Sequence, residues 1–254
     1  MKIDARTVSV FDVGIHALRM GEVLDIVETA IRKREQLQIG VVNAAKLVNM
    51  RRDQTLFDDV TSSDMVLADG MAVVWASRIL GDALPERVAG IDLMMGMLER
   101  ANKQGYRIFL LGATEEVSAG VAARMAKDFP NAVLAGRHDG YFKEPDEERV
   151  VEQIATSRPD ILLVAMTSPK KEKFMARWSE RMGVPVCHGV GGSFDVYSGK
   201  VSRAPKFMQA TGLEWLYRVM QEPRRMWKRY LVTNTLFMTT LVKYFFRRRA
   251  VPAR

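Results

Sequence analysis

In the stretch LADGMAVVW (67–75) an Asp-Gly pair stands where a short apolar run gives way to a helical pattern. A carboxylate at that junction has two uses. It can cap the helix by accepting N–H bonds from the first turn, or it can act as a general base toward a substrate hydroxyl, with Gly70 leaving room for the approach. A second cluster lies in HGVGGSFDVYSGKVSRAP (188–205), where Gly189, Gly191 and Gly192 bring backbone amides within reach of a phosphate or nucleotide. The spacing is not G-x-G-x-x-G, and glycines also simply make turns. In SPKKEKF (168–174), Lys170 and Lys171 open a helix just after a proline. Lysine is electrostatically unfavourable at a helix start; a nearby anion would relieve the conflict, and a solvated first turn is the plain alternative. In LLGATEE (110–116), Gly112 ends an apolar run and Thr114 is placed to cap the next helix. Glu115 and Glu116 would compete with an anion bound there.

Other chemistries find no support. His16, His138 and His188 are scattered without metal-ligand spacing, and neither G-x-S-x-G nor a P-loop occurs. No two aspartates are separated by one residue, so the usual divalent-metal clamp for a nucleotide diphosphate is missing. The charge of a diphosphate leaving group then falls to Arg, Lys or backbone amides. Neither a metal nor a cofactor is expected.

These residues need a scaffold. Apolar runs at 38–42, 64–68, 106–111, 132–136, 160–165 and 184–189 are short, bounded and rich in Val, Ile and Leu, which predicts strands. Helical patterns at 22–34, 91–105, 117–129 and 170–183 lie between them. The alternation predicts an α/β fold with a mainly parallel, Rossmann-like sheet and helices on both faces. Ligands of open sheets bind beyond the carboxyl ends of the strands. The residues found there are Asn43, Asp69-Gly70, Gly112 to Thr114, Met166 to Pro169, and Gly189 to Asp195.

The 254 residues suffice for one large domain with an appendage. A single cysteine, Cys187, excludes disulfide stapling and points to a reducing compartment. The opening MKIDARTVSVFDVG lacks the apolar stretch of an export signal, so a cytoplasmic location is expected. Net charge is segregated. Residues 213–254 hold ten Lys/Arg against Glu214 and Glu222, which leaves 28 basic against 28 acidic residues in the rest of the chain. Residues 1–205 are expected to form the α/β domain, and 206–254 a basic helical appendage.

Eight stretches taken in order form a recognisable set: VVNAAKLV (41–48), LADGMAVVW, ERVAGIDLM (86–94), FLLGA (109–113), DGYF (139–142), SPKKE, GVGGSFDVYSGKVSRAP (189–205) and GLEWLYRVMQEPRR (212–225). Over nearly its whole length the sequence resembles the WecG/TagA/CpsF family of bacterial glycosyltransferases. The resemblance implies a metal-independent, inverting enzyme. It moves a sugar, N-acetylmannosamine in the best-known cases, from a uridine-diphosphate (UDP) donor to a saccharide on a polyprenyl diphosphate. The products feed teichoic acid, enterobacterial common antigen, capsule or exopolysaccharide. By motif match the base falls on Asp69, donor-site residues on Asn43, Arg87 and Asp195, and lipid-diphosphate contacts on Arg218, Arg225 and Lys228. Gly70, Gly112, Lys170, Lys171, Glu172, Gly189, Gly191 and Gly192 complete the expected substrate-binding set.

Three positions depart from the pattern. Val41 stands where members often have Thr, Lys171 where they often have Gln, and Lys228 keeps charge but loses the bidentate geometry of an arginine. The first two leave the donor open among N-acetylmannosamine, glucose and another hexose.

The tail is aromatic as well as basic, with Trp215, Tyr217, Trp227, Tyr230, Phe237, Tyr244, Phe245 and Phe246. That mixture suits an anionic membrane surface better than nucleic acid. Its uncharged run, Tyr230 to Val242, is 13 residues long, short of the roughly 20 that a spanning helix needs. With about 1 kcal/mol per basic residue near an anionic leaflet, reversible anchoring to the inner face of the plasma membrane is expected. A helix packed on its own domain, or a homo-oligomer contact, is the alternative for the tail. For the whole chain the alternative is a nucleotide- or nucleic-acid-binding protein without transfer chemistry.

Overall fold

Each of the six predicted apolar runs forms a strand, and each of the four helical patterns a helix, with ends displaced by two residues at most. The computed structural model describes residues 1 and 3–250; the side chains of Arg225, Met226, Arg229 and residues 248–250 lie outside the description. The chain begins with a hairpin, β1 (Thr7–Val10) and β2 (Val13–His16), then α1 (Met20–Lys33) and β3 (Leu37–Val42). Next come α2 (Ala44–Met50), α3 (Gln54–Thr61), β4 (Met65–Ala68), α4 (Met71–Ile79), α5 (Gly90–Gln104) and β5 (Arg107–Gly112). They are followed by α6 (Glu115–Asp128), β6 (Val133–His138), α7 (Glu147–Ser157), β7 (Ile161–Ala165), α8 (Lys170–Met182) and β8 (Val186–Gly189). The last elements are α9 (Ser193–Tyr197), α10 (Lys206–Ala210), α11 (Glu214–Gln221) and α12 (Pro223–Ala250).

Strands β3 to β8 form one sheet in the order β4-β3-β8-β7-β5-β6, and every neighbouring pair is parallel. Side chains alternate across it. Ile39, Leu67, Ile108, Leu110 and Leu163 face α1, α5, α6 and α9, packing on Val27, Leu93, Met97, Val121 and Phe194. Val42 and Val66 face α2, α3 and α4 on the other side, while Phe109, Leu111 and Leu162 face α7 and α8 there. Burial on both faces explains why these strands read as continuous apolar runs.

The edge strand β4 is covered by the hairpin: the Val66 N–H donates to His16 Nδ1 at 3.1 Å, removing a free strand edge. The hairpin turn places Phe11 and Asp12 at φ 54° and 67°. Helix α12 secures it. Phe11 meets Phe237 and Tyr244 at ring-centroid distances of 5.1 and 5.2 Å, and the Tyr244 hydroxyl bonds to Asp12. Phe237, Leu241 and Thr233 are buried. One face of the tail helix therefore packs on its own domain. The face carrying Trp227, Leu231, Met238, Val242 and Phe246 is exposed. Among the described residues no helix is long and apolar enough to cross a membrane.

Candidate active site at the carboxyl edge of the sheet

Adjacent strands β3 and β4 end together and bring Asn43 and Asp69 side by side. Asn43 caps α2 by accepting the Lys46 N–H at 3.0 Å, which orients its amide nitrogen toward Asp69 Oδ2 at 3.5 Å, the outer limit of a hydrogen bond. The other carboxylate oxygen, Oδ1, accepts the Gly90 N–H at 2.8 Å. The expected cap on α4 is not made. The N-cap of α4 is Gly70 with no side-chain cap, and Asp69 serves the first residue of α5 instead. A helix N-terminus is complementary to a carboxylate. Both glycines beside the acid have room for a Cβ at ordinary contact distance. A Cβ on Gly70 would stand 3.4 Å from Asn43 Cβ, and one on Gly90 3.8 Å from both Asp69 Oδ1 and His188 Nε2.

His188, at the end of β8, supports this arrangement from below. Its Nε2 lies 3.2 Å from the Gly90 carbonyl. A carbonyl only accepts, so Nε2 carries the proton. Burial lowers the imidazole pKa to about 4, leaving the ring neutral near pH 7.

The lysines opening α8 meet groups of the protein. Lys170 Nζ donates to the Gly140 and Phe142 carbonyls at 3.0 and 2.8 Å and sits over the Phe142 ring, pinning the DGYF loop. Lys171 is buried and runs beneath the glycine turn; a Cβ on Gly189 would come within 2.8 Å of its Cε. Its Nζ lies 3.2 Å from Glu172 Oε1, which also pairs with Lys46 Nζ at 2.7 Å. The anion that relieves the helix-start conflict is therefore Glu172 itself. Burial pushes the Glu172 pKa up, but Lys46 and Lys171 outweigh it and bring it down to about 2. Burial, reinforced by Lys171, lowers Lys46 to about 8.

Gly112 adopts φ 119°, and a Cβ there would lie 2.5 Å from the Ala165 carbonyl carbon. Only glycine allows β5 and β7 to close up, with Ala113 N–H donating to Ala165 O at 2.9 Å. Thr114 caps α6 as expected, accepting the Val117 N–H at 3.3 Å. Val41 is buried in the core layer under α1 and α5.

The appendage meets the body at this edge. Arg87, nearly buried, pairs with Glu214 of α11 and lies 3.5 Å from Asp92, which Arg203 also contacts at 2.7 Å. Arg218 of α11 places Nη1 3.6 Å from where a Cβ on Gly192 would be, with Asp195 Oδ2 4.0 Å from the same point. Gly191, at φ 53°, shapes the turn. Lys228 is exposed on α12, and the side chain of Arg225 lies outside the described residues. Asn43, Asp69 and Gly70 form one cluster; Gly189, Gly191, Gly192, Asp195 and Arg218 form another. Gly112, Lys170, Lys171 and Glu172 make their contacts with the protein underneath.

Sequence reasoning missed His188, Lys46, Asp92 and Arg203. Lys46 carried a signal, a lone lysine in the otherwise uncharged VVNAAKLV one turn after Asn43. His188 carried a weaker one, its place at the tip of the last strand. Among the described residues no group of three or more His, Cys, Asp or Glu is arranged to hold a metal ion.

The family model described as "Glycosyl transferase WecG/TagA/CpsF family" matches residues 8–251. The chain is 40% identical over 203 residues to an N-acetylglucosaminyldiphosphoundecaprenol N-acetyl-beta-D-mannosaminyltransferase of Bacillus subtilis (strain 168), covering 80% of this chain and 78% of that protein. It is 39% identical over 185 residues to the protein of the same name from Bacillus spizizenii, covering 73% of this chain and 70% of that one. With a match spanning the sheet, the carboxyl-edge cluster and the appendage, this chain belongs to the WecG/TagA/CpsF family of glycosyltransferases.

Proposed function

We propose that the chain transfers a sugar from a UDP-sugar to a polyprenyl-diphosphate-linked saccharide, inverting the anomeric carbon and using no metal ion. The observation that carries the reading is the Asp69 carboxylate. Its Oδ1 is held by the Gly90 N–H, while the hydrogen-bond partner of Oδ2 among the described residues is the distant Asn43 amide. Oδ2 thus keeps a lone pair for an acceptor hydroxyl. As Asp69 takes that proton, the acceptor oxygen attacks the anomeric carbon, and the bond to the UDP oxygen breaks on the opposite face. One base and one displacement suit inversion.

Leaving-group charge falls to the Gly192 N–H of the glycine turn, since the Val190 and Gly191 amides already donate to the Val164 carbonyl. Arg218 stands beside Gly192. Arg87 acts by fixing α11 through Glu214, which places Arg218. The relatives' names supply the acceptor class and make N-acetylmannosamine the first donor to test, with glucose and other hexoses beside it. Val41 is buried in the core, so its effect on donor choice would be indirect. Supported by the exposed aromatic and basic face of α12, the enzyme works at the inner membrane surface.

The deciding assay offers a panel of UDP-sugars and a diphosphate-linked N-acetylglucosamine lipid in excess chelator, with products identified by mass. Transfer of one sugar in chelator is the expected result. Absence of transfer from every donor would refute the activity, and transfer only after magnesium or manganese is added would refute metal independence.

A further inference from the structure

A groove of about 450 Å³ lies between α11 and α12, lined by Trp215, Val219, Trp227, Leu231, Asn234 and Thr235. Its wall is fixed by Trp215 against Tyr230, at a ring-centroid distance of 5.8 Å. Trp227 and Leu231 remain 54% and 60% exposed although both are large and apolar.

The charges around it are ordered along one direction. At 3.6 residues per turn, Arg224, Trp227, Lys228, Leu231, Thr235, Met238 and Val242 fall within about 100° of arc on α12. That stripe starts with two cations and continues as apolar surface. The face flanking the stripe, with Phe237 and Leu241, is buried against the body. Beside the groove, Arg218 follows Trp215 by one turn of α11 and reaches the glycine turn at Gly192. A ligand that fits has a strongly anionic head and a long apolar tail that leaves it in one direction.

We propose that this groove binds the first isoprene units of the acceptor's polyprenyl chain, seating them between the two indoles while the diphosphate stays with Arg218, Arg224 and Lys228. The proposal rests on the reading of the chain as a lipid-linked glycosyltransferase. It makes the enzyme a reader of the lipid as well as of the glycan. A bilayer surface would need only an apolar face; an open groove between two indoles with cations at one end suits a single chain.

Trp227→Ser and Leu231→Ser alter exposed side chains and should leave the fold intact. In detergent micelles, each should raise KM about tenfold for an acceptor on a long polyprenyl chain, the loss expected for one large apolar contact. KM for the same saccharide diphosphate carrying no isoprene unit, and KM for the donor, should stay unchanged. Farnesyl diphosphate alone should quench tryptophan fluorescence of the full-length protein, and quench Trp227→Ser less. Equal KM for the long-chain acceptor in variants and parent would overturn the proposal, as would weakened vesicle binding without any change in the micelle assay. Failure of the parent to transfer sugar while farnesyl diphosphate still quenches would instead remove the transferase reading and leave the groove as a prenyl-diphosphate site.

Discussion

Glu172 shows how strongly single residues set this site. It lies buried between Lys46 and Lys171, and its pKa falls from an ordinary 4.5 to about 2. A carboxylate depressed in the folded state stabilises the fold above its unfolded pKa, and that stability is lost as pH drops through the folded value. The contribution is on the order of 3 kcal/mol, lost between about pH 5 and pH 2. Glu172→Gln should lower stability at pH 7, because two lysines lose their buried partner. It should also flatten the acid limb. Urea unfolding of both proteins at stepped pH reads this out, and parallel acid limbs would contradict the ion-pair account. Asp69 was legible as a candidate because an acid after an apolar run stands out. Its partner was not, since the Gly90 N–H lies 21 residues along the chain, and nothing local marks an amide as aimed at a carboxylate.

Among the elements, α12 makes the packing that its composition left open, one face seated on its own domain. Charge and aromatic content pointed to a bilayer, and composition cannot show which face of an amphipathic helix meets its own domain. Phe237 and Leu241 make that contact, on the hairpin and α2. Phe237→Ala should cost about 3 kcal/mol or more through the cavity left beside Phe11, measured as a shift of the denaturation midpoint at unchanged slope. A shift below the scatter of the measurement would mean that the helix is not seated there. The hairpin went unread for a related reason. Its turn uses Phe11 and Asp12 at positive φ where Asn-Gly is the usual signal, and side chains of α12 more than 200 residues away hold it. The six strands were legible, because burial on both faces writes itself as Val, Ile and Leu runs. Their order was not, because it depends on crossovers that leave no local pattern.

At the scale of the whole molecule, the α/β body presents the Asn43–Asp69 cluster and the glycine turn at one edge, and residues 213–254, with a net charge of +8, pack against that body. The Arg87–Glu214 pair and the seat of α12 join the two. Binding to anionic vesicles should therefore weaken steadily as salt rises and the Debye length shrinks from about 10 Å at 0.1 M toward 3 Å at 1 M. Sedimentation with phosphatidylglycerol vesicles over a salt series checks this, and salt-independent binding would show that charge is not what attaches the protein. Deleting the tail is a poor test, since it also removes Phe237 and Leu241 from the core. In the proposed reaction, the step that depends on a single side chain is removal of the acceptor hydroxyl proton by Asp69. Its most direct test is the transfer rate of Asp69→Asn at saturating donor and acceptor, with donor binding measured alongside. Turnover should fall by about 10² to 10⁴ while donor affinity and the unfolding midpoint stay close to those of the parent. Transfer by Asp69→Asn at near the parental rate would contradict the account.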